Sequence, residues 1–118
     1  MILAQLYEQK ADRVGVSPAL QSFNRAFLAS VNTCVQEINA RCHTSGVEAT
    51  SEHDDIGIDE RYLPVLSAGI DYYLTVQSMY KIEGKLDLYS IYNNALRRSQ
   101  HFYFDDSPPN GVFGSVAE

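Results

Sequence analysis

The feature that most constrains this chain is a helical pattern with a very narrow polar side, in the stretch 59–98. In the first half of that stretch, four polar residues recur at helical spacing and form one stripe: Ser67, Asp71, Thr75 and Ser78. The remaining circumference is apolar or aromatic and comprises Tyr62, Leu63, Val65, Leu66, Ile70, Tyr72, Tyr73, Leu74, Val76, Met79 and Tyr80. Such a helix needs cover on more than one side. We therefore expect part of its surface to contact another copy or another protein.

Two further helices are predicted before this stretch. The first covers residues 2–14 and ends at Gly15, which suits a left-handed C-terminal cap. The second covers residues 18–41, because Ser17 followed by Pro18 is a strong start signal. One face of the second helix is apolar. Its outer faces carry the polar residues Gln21, Arg25, Asn32, Gln36, Glu37, Asn39 and Arg41.

The stretch 59–98 itself is typical of a helical hairpin. Its first helix begins between Asp59, which can cap it, and Pro64, and we expect it to end between Lys81 and Gly84. A second helix follows Gly84 and ends at Tyr103. One side of that helix is lined by Leu88, Ile91, Tyr92, Ala95, Leu96, Ser99, Phe102 and Tyr103. Short connections place such helices antiparallel.

Length and composition favour a single domain. The chain has 118 residues, and no apolar run approaches the ~20 residues of a membrane span. Its start has neither a basic leader nor a cleavage site, so we expect residence inside a cell or in a particle built there. Cys34 and Cys42 lie about 12 Å apart along one helix, which predicts reduced, buried thiols. The expected fold is all-α, a small antiparallel helical bundle of about four helices in residues 1–103, followed by an extended C-terminal arm in residues 104–118.

A long acidic loop, residues 43–58, is inserted into the predicted bundle. Residues 43–60 contain six acidic residues and no Lys or Arg, while the rest of the chain has nine of each sign. The whole net charge of -6 therefore lies in this region, which disfavours binding of DNA through its phosphates. Long loops in compact domains usually contact or line something, and the alternative is a solvated loop. The candidate contact residues are Glu48, Glu52, Asp54 and Asp55.

The predicted arm begins where the helix is expected to end. Pro108 and Pro109 favour an extended path because they lack amide donors. Spaced along this segment are four apolar residues that could insert into pockets of a neighbour: Phe104, Val112, Phe113 and Val116. A frayed terminus is the alternative.

No catalytic, cofactor or metal site is predicted. The sequence His53-Asp54-Asp55 is similar to part of a metal-dependent phosphohydrolase motif, but the additional histidine ligands are missing. Arg98 and His101 are one helical turn apart, and solvated side chains explain them more simply. The sequence contains no phosphate-binding glycine loop and no nucleophile with a recognisable base. These observations favour a binding or structural role.

Two segments of the hairpin carry a family resemblance. The run IDERYLPVLSAGIDYYL and the later run LYSIYNNALRRSQ resemble the small helical head–tail connector proteins of tailed bacteriophages, also called adaptor or head-completion proteins. The likeness extends to the preceding helix at 32–41 and covers residues 18–101. It implies a helical bundle that assembles into a ring of about twelve copies between portal and tail. Such a ring extends the channel through which DNA passes without sequence-specific binding, and it offers a platform for a stopper or tail protein.

Within this resemblance, three regions have expected roles in the virion. The tyrosines of the hairpin are candidates for the subunit interface, since rigid aromatic side chains bury large areas: Tyr62, Tyr72, Tyr73, Tyr80 and Tyr89. The acidic loop would either line the channel and repel DNA or, as we prefer, dock onto a basic surface of the tail side. The arm would dock on the portal protein.

Two other classes of function compete with this interpretation. A helical regulatory or antitoxin-like binding module would dimerise through the same hairpin. A small helical hydrolase would require His53 and Asp54 for activity. Presence of the protein in purified virions distinguishes the connector from both.

Overall fold

The chain folds as a bundle of four helices. The computed structural model describes residues 1–82 and 87–105, with side chains through residue 102. Its elements are α1 (Ala4–Val14), α2 (Gln21–Cys42), a 3-10 helix (Glu60–Tyr62), α3 (Leu63–Val76) and α4 (Leu88–Asp105). The described residues form no β-strand, and one isolated bridge joins Ile2 to Asp55. The predicted all-α bundle is confirmed.

The ends of α1 and α2 agree with the sequence pattern, but the start of α2 does not. Gly15 has a φ of 78° and caps α1 as predicted. α2 begins at Gln21, three residues after Pro18. The Ser17 hydroxyl accepts a hydrogen bond from the Ala19 amide at 3.1 Å, so it caps a separate turn rather than the helix.

The start of α3 was predicted correctly. The carboxylate of Asp59 accepts a hydrogen bond from the Arg61 amide at 2.9 Å and thereby caps the short 3-10 helix. The α-helix then begins at Leu63, and Pro64 occupies its first turn, where a missing amide hydrogen is tolerated.

The end of α3 was predicted wrongly, because the helix stops at Val76 rather than between 81 and 84. Met79 adopts a left-handed backbone with φ 64°, and the Tyr80 amide then bonds to the Leu74 carbonyl at 3.0 Å. This turn brings the Tyr80 ring edge-on to Phe23, with ring centroids 5.5 Å apart. Tertiary packing of one aromatic ring therefore overrides the helical pattern.

Helices α3 and α4 are antiparallel and pack on α2. Tyr62, just before α3, has its ring centroid 5.2 Å from that of Phe102, near the end of α4. Tyr72, near the end of α3, lies 5.4 Å from Tyr89 at the start of α4. The fully buried side chains of the core come mainly from α2 and α3 and include Phe23, Phe27, Val31, Ile38, Val65, Leu66, Ile70 and Leu74.

The polar stripe of α3 faces α1. Lys10, on α1, is only 4% exposed, and its ammonium donates to the Ser67 hydroxyl at 2.8 Å. The same ammonium lies 2.8 Å from one oxygen of Asp71, whose other oxygen is 3.0 Å from a guanidinium nitrogen of Arg13. Burial lowers the pKa of Lys10, while the contact with Asp71 opposes that shift. α1 therefore contacts the polar stripe of α3 at Ser67 and Asp71 within the same chain.

Gly69 is the point of closest approach between α3 and its two neighbours. A Cβ atom at this position would lie 2.5 Å from the Cys34 sulfur of α2 and 2.6 Å from a ring carbon of Tyr92 on α4. The ring cannot easily move away, because the Tyr92 hydroxyl donates to Glu37 at 2.5 Å. Glycine here serves helix packing rather than backbone conformation.

We expect Gly69→Ala to destabilise the fold although alanine is the better helix former. Alanine gains about 1 kcal/mol in helix propensity, but overpacking a core costs roughly 1–3 kcal/mol or more. A net loss of about 1 kcal/mol in the free energy of unfolding is predicted from urea titrations followed by circular dichroism. The neighbouring Ala68→Gly substitution measures the cost of a glycine in the same helix. A stabilised Gly69→Ala protein would contradict the packing described for α3.

Candidate interaction surface

Two of the five tyrosines assigned to the subunit interface pack within the chain's own core. Tyr62 is buried, and its ring lies edge-on to Phe102. Tyr80 is half-buried against Phe23. Both side chains therefore make aromatic contacts within the chain.

The other three tyrosines meet at the contact between α3 and α4. The Tyr72 ring centroid lies 4.9 Å from that of Tyr73 and 5.4 Å from that of Tyr89. Tyr73 is also 5.9 Å from Tyr92 on α4. Tyr89 is 55% exposed, while Tyr72 and Tyr73 are half-buried. These three tyrosines therefore form a cluster within the chain, and Tyr89 is its most exposed member.

Glu37 of α2 joins this cluster, which the sequence pattern did not indicate. One of its carboxylate oxygens accepts a hydrogen bond from the Tyr73 hydroxyl and the other from the Tyr92 hydroxyl, both at 2.5 Å. Burial raises the pKa of both tyrosines, and the negative charge of Glu37 raises it further. The prediction had placed Glu37 on an outer face of α2. The contact depends on how α2 is positioned against α3 and α4, which the sequence pattern of α2 alone does not show.

An open cleft of about 210 Å³ lies beside these three residues. Glu37 and Arg41 line it from α2, and Tyr89 and Asn93 line it from α4. No ion pair among the described residues joins Arg41 to Glu37, although the two are one helical turn apart.

The acidic loop is packed onto α2 and is more ordered than the expected exposed loop. Three of its apolar side chains are buried: Ala49, Ile56 and Ile58. The Asn32 side chain bonds to both backbone groups of Ala49, at 2.7 and 3.0 Å. Asn39 does the same for Gly46, at 2.8 and 2.9 Å. Both asparagines had been assigned to outer faces of α2, and instead they hold the loop in place.

Three of the four acidic contact candidates are engaged inside the chain. Glu52 accepts a hydrogen bond from Asn24 at 2.9 Å, and Asp55 lies 2.7 Å from the amino group of Met1. One oxygen of Asp54 accepts hydrogen bonds from the backbone amides of residues 50 and 51 and from the Thr50 hydroxyl.

Hydrogen bonding lowers the pKa of Asp54, with the Thr50 amide making the largest contribution. The ionised carboxylate therefore stabilises the loop above the ordinary pKa of 3.8, and this contribution is lost as the pH falls through the lowered value. Glu48, in contrast, is exposed and forms no hydrogen bond or ion pair within the described residues.

The predicted arm lies mostly outside the described residues. α4 ends at Asp105, two residues later than expected, so Phe104 belongs to the helix. The other arm candidates fall beyond residue 105: Pro108, Pro109, Val112, Phe113 and Val116.

Apolar side chains remain exposed at the end of the hairpin where α3 ends and α4 begins. Met79 is 83% exposed, and Val76, Tyr89 and Ile91 are each about half exposed. Ile91 had been expected on the buried side of α4, and that expectation was wrong. These four residues, Val76, Met79, Tyr89 and Ile91, are called the hairpin-end patch below.

The described residues contain no group of three His, Cys, Asp or Glu side chains that could hold a metal ion. His53 is exposed, and its ring nitrogen lies 3.6 Å from Glu52. Cys34 and Cys42 are free and buried, as predicted, and burial raises the pKa of the Cys34 thiol. In the described part of the chain, no helix has both the length and the apolar character needed to cross a bilayer.

We expect Asn32→Ala to release the loop from α2. The substitution leaves two partly buried backbone groups of Ala49 unpaired, which costs roughly 1–3 kcal/mol. Hydrogen exchange should rise in residues 46–56 and should change little in α3. Asn94→Ala is the matched control, since Asn94 is exposed, lies on α4 away from the loop and accepts a hydrogen bond from Arg97 at 3.3 Å. Equal effects of the two substitutions on exchange in the loop would show that Asn32 does not hold it.

Comparisons of the chain with models of protein families, with curated proteins and with solved structures gave no match. The resemblance to connector proteins rests on the sequence patterns quoted above. The functional proposal is made from those patterns together with the geometry of the described residues.

Proposed function

We propose that the chain is a structural subunit of a head–tail connector in a tailed bacteriophage. In this role it forms a ring between portal and tail, extends the DNA channel and provides a docking platform for a stopper or tail protein. The observation that carries the proposal is the position of the connector-like motif in the fold. Several parts of that motif fall on residues that shape the hairpin.

The first run of the motif builds the start and centre of α3. Its acidic start supplies Asp59, which caps the 3-10 helix, and its Leu-Pro pair opens α3. Its small residue, Gly69, is the closest contact between helices. The second run places Ala95 and Leu96 in the core of α4. The resemblance thus concerns residues that specify one hairpin packed on one long helix, which supports a shared fold with connectors.

The hairpin-end patch supplies a candidate interface between copies. It consists of apolar side chains that folding leaves exposed, and they lie at one end of the bundle. An interface formed between this patch and a different surface of the next copy is heterologous, and such contacts close into a ring when the rotation between copies permits. Of the five tyrosines expected at the subunit interface, this patch contains Tyr89.

The acidic loop supports docking on a basic partner. Asn32 and Asn39 hold the loop against α2, so Val47 and Glu48 stand exposed on a fixed edge. Binding to this edge should cost little conformational entropy, because the loop is already held in place. We propose that this edge meets the tail side, while DNA passes through the ring without sequence-specific contacts. The protein acts in the virion, without catalysis, together with the portal and the stopper or tail protein.

The runner-up function is a helical regulatory or antitoxin-like module that dimerises through the same patch. The exposed apolar residues are equally suited to a two-fold contact. Mass spectrometry of purified phage particles separates the two functions. A connector subunit is present in the particle in a fixed ratio to the portal protein, whereas a regulatory module is absent from it.

We expect the double variant Met79→Asn, Ile91→Gln to lose ring assembly on the portal while keeping its fold. Asparagine tolerates the left-handed backbone of residue 79, and both side chains lie outside the buried core. Each apolar anchor buried at an interface contributes roughly 1.5–3 kcal/mol, so binding should weaken at least about tenfold. Co-expression with the portal protein and electron microscopy of the complexes measure this.

The matched control is Leu20→Gln, which also replaces an exposed apolar residue but lies at the start of α2, outside the patch. Rings should form normally with this variant. Rings that form as well with the double variant as with the wild-type chain would remove the hairpin-end patch as the subunit interface.

A further inference from the structure

The cleft between α2, α3 and α4 contains a carboxylate with unused acceptor capacity. Each oxygen of Glu37 accepts one tyrosine hydroxyl, at 2.5 Å. An ionised carboxylate offers about two lone pairs on each oxygen, so one acceptor position remains on both. Glu37 is only half-buried, and the open cleft of about 210 Å³ lies against it. A second pair of donors can therefore approach from the cleft.

The same two hydrogen bonds fix the direction of the Glu37 carboxylate. The raised pKa of Tyr73 and of Tyr92 keeps both hydroxyls protonated, so they remain donors at neutral pH. A charged group held by two bonds needs no reorganisation when a ligand arrives.

Aromatic rings form the other walls of the cleft. Tyr73 and Tyr92 flank the carboxylate, and Tyr89 stands at the rim with about half of its surface exposed. The face of an aromatic ring attracts a cation, and guanidinium groups stack on such faces more readily than ammonium groups do. Carboxylate and rings together select a positively charged, planar group.

The chain's own Arg41 lines the cleft but is not paired with Glu37 in the described structure. Arg41 is exposed and therefore leaves the carboxylate open to another donor. The net charge of -6 also favours encounter with a basic partner over an acidic one. The volume of the cleft corresponds to roughly seven water molecules, which is enough for a guanidinium group and part of its stem.

We propose that this cleft is a binding site for an arginine side chain of a partner protein. The guanidinium donates two parallel hydrogen bonds to the free lone pairs of Glu37 and lies against the ring of Tyr89. Lysine fits less well, because its ammonium is a point charge that cannot form the two-pronged contact. The site does not depend on the connector function, since it requires only a basic partner.

The test is a titration of the full chain with three short peptides, followed by NMR of its tyrosine rings and backbone amides. The peptides are acetyl-Gly-X-Gly-amide with arginine, lysine or the neutral isostere citrulline at X. The arginine peptide should saturate with a dissociation constant on the order of 1 mM, as expected of so small a ligand. Its shifts should centre on Tyr73, Tyr89 and Tyr92. Lysine should bind several-fold more weakly, and citrulline should not saturate.

Two variants locate the binding. Glu37→Gln removes the charge but retains one acceptor for a tyrosine hydroxyl, and the arginine peptide should then bind at least about tenfold more weakly. Tyr89→Leu removes an exposed ring without touching the carboxylate, and we expect binding about threefold weaker. Glu8→Gln is the control, because it neutralises an exposed carboxylate on α1, outside both the cleft and the loop, and should leave the affinity unchanged.

The possible outcomes decide the proposal even if Glu37→Gln does not fold, since Tyr89→Leu still reports on the cleft. The absence of saturable shifts in the wild-type chain overturns it. Equal binding of the citrulline peptide overturns it as well, and so do shifts that follow Glu48 and the loop instead of the cleft. The presence or absence of the protein in virions has no bearing on these results.

Discussion

The structure depends on how α3 is covered. This helix is apolar around most of its circumference, and a helix of that kind is stable in water only when several neighbours surround it. α2 and α4 supply two apolar contacts, and Gly69 allows them to come close. α1 supplies the third contact, in which Lys10 meets the polar stripe at Asp71. Removing Asp71 would leave the Lys10 ammonium buried without its carboxylate, at a cost of about 3–5 kcal/mol, whereas Asp71 keeps Arg13 as a partner if Lys10 is removed.

This arrangement changes what the apolar surface of the hairpin means for function. The sequence alone suggested that the surplus belongs to an interface, yet Tyr62 and Tyr80 are satisfied within the chain. Among the described residues of the hairpin, the large apolar side chains that remain exposed are Leu63 at the start of α3 and the four of the hairpin-end patch. In the proposed ring, such a subunit would be folded before assembly, and its contacts with the next copy would use a limited patch rather than the whole hairpin.

Local sequence signals predicted the elements of the fold, and contacts between distant residues decided the rest. Gly15 and Asp59 carry their own capping chemistry, so the end of α1 and the start of α3 followed from the sequence. The end of α3 did not, because Met79 turns the chain so that Tyr80 can reach Phe23 on another helix.

The same distinction holds for the candidate site. The sequence singled out Tyr72, Tyr73 and Tyr89 for an interface between subunits, but it did not predict that they contact one another across α3 and α4. Glu37, Asn32 and Asn39 were missed, since a polar residue on the flank of a helix looks alike whether it meets solvent, a tyrosine or a loop backbone. Glu52, Asp54 and Asp55 have partners inside the chain, whereas Glu48 has none among the described residues. The sequence does not show this difference.

The central claim is that α3 is covered within one chain, so that the subunit folds without a partner. Thermal or urea unfolding over a hundredfold range of protein concentration tests it most directly. The account predicts one cooperative transition whose midpoint does not depend on concentration, because folding and association are separate steps. A midpoint that rises steadily with concentration would show that a second copy completes the cover of α3, and it would contradict the account.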